Sequence, residues 1–185
     1  NVYGGSRYGD DNYVQNGDYT KCQTNIYILS GNIATGSSGN VYGGGYKGRS
    51  KMDVLIQIGS AVPISVDEPL YKGFGIKSIY GGASVGEVDN SEAGSALLNQ
   101  QLLFGNVDIE IGGFGKGANT ISGDVFGAGD YCDISGTSNI TFTNIEQEGS
   151  MLSIQKADSV TLVNSEIVLE GNVDGNTASG SAKFS

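Results

Sequence analysis

The sequence predicts an all-β chain, a right-handed parallel β-helix (β-solenoid) with loop insertions. Three observations predict it: a short glycine-ended element occurs four times, a period-2 strand recurs between its copies, and the copies lie a solenoid repeat apart, not a hairpin apart. The first element reads Asn1-Val2-Tyr3-Gly4-Gly5, Asn40-Val41-Tyr42-Gly43-Gly44-Gly45, Ser78-Ile79-Tyr80-Gly81-Gly82 and Asp124-Val125-Phe126-Gly127-Ala128-Gly129. Each copy is polar, β-branched, aromatic, then glycine. Val2, Val41, Ile79 and Val125 stand 39, 38 and 46 residues apart.

The second element reads Asn25-Ile26-Tyr27-Ile28, then Asp53-Val54-Leu55-Ile56-Gln57-Ile58-Gly59. It returns as Asn106-Val107-Asp108-Ile109-Glu110-Ile111-Gly112-Gly113 and as Asn139-Ile140-Thr141-Phe142-Thr143. Strict alternation marks a strand with one face buried and one solvated. Val54, Ile56, Ile58, Val107, Ile109, Ile111, Ile140 and Phe142 are therefore the predicted core, with Asp53, Asp108 and Glu110 facing out. A turn, a short isoleucine-containing segment such as Ile33 or Ile121, and a Ser-Gly or Thr-Gly pair lead back to the glycine-ended element. A coil of this kind cannot bury its own apolar face. Stacking coils at ~4.8 Å gives every backbone N–H a carbonyl on the next coil. A hairpin sandwich would need two-residue turns between adjacent strands. Asn16-Gly17 is the early candidate for one, and strong strands do not flank it.

Residues 60–77 and 84–104 read as insertions outside the stack. The first holds Pro63 and Pro69, and the second holds a helix-like run from Ala93 to Leu103. Residues 151–171 hold three short β runs and read as one compact coil with three faces. The domain division is 1–145 for the glycine-rich repeats, 146–171 for a terminal coil of the same domain, and 172–185 for a polar tail or linker. One wide coil per repeat and two narrow ones both fit the spacing, and the terminal coil favours two.

Composition narrows the function classes. Glycine supplies 31 residues and proline 2, inside a regular β-branched pattern, so neither collagen nor disorder fits. A net charge of −10 argues against nucleic acid and against anionic lipid. No run of 18 apolar residues exists to insert into a membrane. Asn1 is not a natural start, and the chain reads as an excerpt that opens in mid-repeat. Histidine, the commonest general base, is absent. Cys22 and Cys132 lie more than two repeats apart, over about 10 Å along a stack, whereas a disulfide needs Cα atoms within roughly 7 Å. They are expected not to pair with each other.

The alternation of the VxIxIGG run (Val107 to Gly113) with NVYGGG (Asn40 to Gly45) resembles the glycine-rich β-helix repeats of adhesin-like surface proteins of gut bacteria and methanogenic archaea. The run from Ser153 to Gly171 resembles a segment that follows such repeats. The 46-residue spacing and Ala128 depart from a clean repeat. The resemblance implies secretion, an extracellular cell-surface location and a structural or adhesive task. It supplies no catalytic motif.

Two candidate sites follow from the residues. If the β-branched residues of the glycine-ended element point inward, Tyr3, Tyr42, Tyr80 and Phe126 form an outward ladder, and exposed rings can stack on sugars or a partner. The blander reading is a covered stack, which Phe126 favours. Asp10 and Asp11, with Asp130 and Asp133, sit in acidic, glycine-containing turns where a calcium ion could find oxygen ligands; plain solvated turns are the blander reading. No other cofactor is expected. The function expected is a non-enzymatic surface or secreted repeat module, an adhesin or structural stalk. Its expected partners are a host or microbial surface glycan or protein, and further repeats of a larger parent chain. The alternative is a β-helix polysaccharide lyase or glycoside hydrolase, or a fragment of one. Such an enzyme needs clustered carboxylates, and the acidic residues here are scattered.

Overall fold

The computed structural model describes residues 1–5, 23–34, 38–45, 52–60, 73–83, 101–103, 105–113, 119–130, 133–163, 166–173 and 176–184. Both cysteines, Asp10 and Asp11, and most of the two expected insertions lie outside these residues. No helix occurs among them, and none is long and apolar enough to cross a membrane.

The strands in chain order are β1 (Val2–Tyr3), β2 (Gln23–Ile28), β3 (Gly31–Asn32), β4 (Val41–Tyr42), β5 (Asp53–Ile58) and β6 (Phe74–Ile76). Next come β7 (Ile79–Tyr80), β8 (Gln101–Leu103), β9 (Val107–Gly112), β10 (Thr120–Ile121), β11 (Val125–Phe126) and β12 (Asp133–Ile134). The last are β13 (Ser138–Thr143), β14 (Glu146–Ala157), β15 (Ser159–Val163), β16 (Glu166–Val173) and β17 (Asn176–Phe184). They form four sheets. The long strands run β2-β5-β9-β13-β15, the aromatic strands β1-β4-β7-β11-β14-β16-β17, the short linking strands β3-β6-β10, and the last sheet is β8-β12. The chain visits long-strand, linking and aromatic sheets in that order three times, each time one strand further along. Every pairing is parallel except the final one.

The two repeated elements pair with their own copies. Val2, Val41, Ile79 and Val125 stand side by side in the aromatic sheet. Each 38–46-residue repeat thus contributes one strand there. Ile26, Ile56, Ile109 and Ile140 are likewise adjacent, and Leu55 pairs with Asp108 on the other face. All eight predicted core residues are buried, at 0–1% exposure, while Asp108 and Glu110 are exposed. The alternation thus fixes the register as expected.

Glycine makes this stacking possible in two ways. A Cβ on Gly43 would run into the carbonyl oxygen of Gly81 and meet Val54 Cγ1 at 2.5 Å; one on Gly81 would do the same to Gly127 and Val107. Here the need is close approach of neighbouring strands. At Gly59 and Gly113 the need is conformational: φ is +68° and +66° where the long strands turn toward the linking sheet. Asn144 takes the corresponding turn after β13 at φ 55°, asparagine being among the residues that tolerate this region.

Four expectations are corrected. Phe74–Ile76 is a buried strand and not part of an insertion. A Cβ on Gly75 would meet Asn32 Oδ1 at 2.6 Å, so glycine lets β6 lie against β3. Gln101–Leu103 ends the helix-like run in sequence but forms β8, because Leu103 is fully buried in the core and pairing with β12 overrides local propensity. The terminal runs alternate between two sheets, aromatic, long-strand and aromatic again, and do not take three faces of their own. The tail forms β17, antiparallel to β16, with Val173 opposite Asn176 and Leu169 opposite Ala182. Small polar residues do not prevent this, since the ladder is made by the backbone.

Asn119 fastens the turn after β9. Its Nδ2 donates to the Gly113 carbonyl at 2.8 Å and its Oδ1 accepts the Phe74 N–H at 3.0 Å, with the side chain only 3% exposed. Asn119→Leu is expected to cost about 1–3 kcal/mol in urea unfolding, because a buried donor and acceptor lose their partners.

Candidate ligand-binding face

The outer face of the long-strand sheet carries two rows of side chains, because alternate residues of each strand point away from the core. One row is Asn25, Leu55, Asp108, Asn139 and Ser159; the other is Tyr27, Gln57, Glu110, Thr141 and Thr161. Hydrogen bonds run along the rows. Ser159 Oγ donates to Asn139 Oδ1 at 2.7 Å, and Asn139 Nδ2 donates to Asp108 Oδ1 at 2.9 Å. Gln57 Nε2 donates to Glu110 Oε2 at 2.5 Å. Both carboxylates are thus held by neutral amides at the surface.

A groove of about 500 Å³ lies over the C-terminal ends of these strands, lined by Tyr27, Leu29, Gln57, Glu110, Thr141 and Thr143 among others. Tyr27 is 62% exposed and Leu29 58%, which is high for large apolar side chains. Sequence reasoning did not single out Tyr27. The signal was present: aligning the four period-2 runs places an aromatic ring in the outward slot that Gln57, Glu110 and Thr141 fill in later strands.

The expected aromatic ladder exists. Tyr3, Tyr42, Tyr80 and Phe126 stack with centroids 5.0, 4.9 and 4.8 Å apart and ring planes within 9°. Tyr42 and Phe126 are buried, Tyr3 and Tyr80 half-buried. Neighbouring rings occupy the faces a sugar would use, so within the series only the two ends of the stack leave a face unstacked. The Asn40 amide donates to the Tyr42 hydroxyl at 2.9 Å and the Asn1 amide to that of Tyr3 at 3.2 Å, which accounts for the asparagine opening these two copies. Asn1 Oδ1 also accepts the Gly39 and Asn40 N–H groups, both at 2.9 Å, tying two strands together. Burial, then the neighbouring Tyr42 and Asp130, push the Tyr80 phenol well above its ordinary value, so it stays neutral.

Of the two acidic turns, only Asp130 and Asp133 fall among the described residues. Asp130 lies beside the ladder, close enough to influence Tyr80. Asp133 opens β12. Asp10 and Asp11 lie outside the described residues, and among those described no group of three or more His, Cys, Asp or Glu could hold a metal ion.

No family model matches the chain, and no match was found among curated proteins or solved structures.

Proposed function

We propose that the chain is a non-enzymatic surface module, a right-handed parallel β-solenoid that presents a rigid face outside the cell as an adhesin or stalk. One observation carries this reading: the long-strand sheet keeps one parallel register through all five of its strands, from Gln23–Ile28 to Ser159–Val163. Such an arrangement gives stiffness, because each repeat is held by its neighbours. The resemblance to adhesin-like repeats supports the extracellular location, and the charge of −10 supports solubility there. Further repeats of a longer chain and a surface glycan or protein are the partners this reading implies.

The test is incubation of the pure protein with neutral and acidic polysaccharides, beside a glycan array. Saturable binding without degradation is the expected result. Release of reducing ends or unsaturated sugars would instead make the chain a polysaccharide-active enzyme, with Asp108 and Glu110 as the first carboxylates to substitute.

A further inference from the structure

We infer that the groove over the C-terminal ends of β2, β5, β9 and β13 is a subsite for a neutral glycan, with Tyr27 as its stacking platform. The inference rests on the surface-module reading and gives that module a location for its ligand.

Three observations converge. First, Tyr27 is exposed at 62% in the outward row, whereas the tyrosines and the phenylalanine of the ladder are stacked on one another. An aromatic face carries partial negative charge. The C–H bonds on one side of a pyranose ring carry the opposite polarity and settle against it. Second, the groups beside the ring suit hydroxyls. The Glu110 carboxylate accepts, the Gln57 amide both accepts and donates, and the Thr141 and Thr143 hydroxyls do either. Gln57 already holds Glu110 in place at 2.5 Å, so these groups are partly oriented before a ligand arrives. Third, the space is right. About 500 Å³ falls within the range of small-molecule sites, and the in-register strands give a flat floor.

Charge decides between sugars. Among the described residues that line the groove there is no lysine or arginine, Glu110 is in it and Asp108 is on the same strand face, so an acidic sugar would meet repulsion from both carboxylates. A cationic peptide would use Glu110 and Tyr27 but leave the amide and hydroxyl row without a role. A neutral sugar uses all of them.

The experiment is calorimetric titration of the whole chain with neutral tetrasaccharides of glucose, mannose and galactose, with tetragalacturonate, and with tetralysine. Tyr27→Ala, Tyr27→Phe and Glu110→Gln are tested in parallel, and circular dichroism checks that each variant keeps its β structure. At least one neutral tetrasaccharide should bind with a Kd of about 1 mM or tighter. Tyr27→Ala should weaken it about five- to tenfold and Tyr27→Phe should restore it, since the ring face is what the sugar uses. Tetragalacturonate should bind more weakly than the neutral sugar and gain in Glu110→Gln. The inference is overturned if no neutral tetrasaccharide binds, if binding survives Tyr27→Ala unchanged, or if tetralysine alone binds. Cleavage of a bound sugar would sink the non-enzymatic reading while leaving the subsite standing.

Discussion

Replacing Ile109 by alanine is expected to lower the unfolding free energy by about 2–5 kcal/mol. Ile109 is fully buried and pairs with Ile56 on one side and Ile140 on the other, so a truncated side chain leaves a void in the middle of a four-residue isoleucine row. The backbone ladder fixes the spacing between strands and limits how far neighbours can collapse into the gap. Asp108→Ala, one residue away and exposed, is expected to change stability by no more than about 0.5 kcal/mol, as surface substitutions generally do. Urea unfolding of both variants measures the pair. A larger loss for Asp108 than for Ile109 would mean the strand is out of register by one.

A second large effect is expected at Gly43 and Gly81. Alanine at either places a Cβ against the carbonyl of the equivalent glycine in the adjoining strand, and that atom is backbone, in a stretch held by ladder hydrogen bonds such as Gly43 N–H to Tyr80 O and Gly81 N–H to Phe126 O, both at 2.8 Å. Nothing there is a flexible side-chain end that can move aside. The expected loss is about 3 kcal/mol, the upper end of what overpacking typically costs. Gly44 offers an internal control: its Cβ would lie 3.2 Å from the Gly82 oxygen, a tight but adjustable contact, so Gly44→Ala should cost clearly less than Gly43→Ala. Equal tolerance of both would show that the glycines serve turn conformation and not close approach.

The parts of the fold that were legible in the sequence are those where burial alternates. Val54 to Ile58 and Val107 to Ile111 announce a strand, its buried face and its partner, because a one-residue slip would turn every isoleucine to water. Phe74–Ile76 and Gln101–Leu103 were not legible: runs of three residues have no period to read, and only the strands already beside them make them strands. Asn176–Phe184 was hidden for a different reason, since its pairing is carried by backbone groups that every sequence possesses. For the site, the aromatic ladder was legible as a series, and Phe126, which has no hydroxyl to turn to water, already favoured the covered stack now seen at Tyr42 and Phe126. Tyr27 was overlooked because its interest comes from its neighbours in other strands, Gln57 and Glu110, not from any motif around it.

The antiparallel β17 has a consequence for how such a molecule can change length. The aromatic sheet is parallel from β1 through β16 and then reverses, so a copy of the repeat laid beside β17 would meet it antiparallel, whereas a copy inserted among the repeats meets parallel neighbours on both sides. Gene duplication or unequal recombination can therefore act on the molecule as on a ruler, adding or removing graduations in the interior. Excising residues 42–79 and joining Val41 to Tyr80 removes one graduation and leaves β2 facing β9 in the same phase that β5 now occupies, a shortening of ~4.8 Å along the stack.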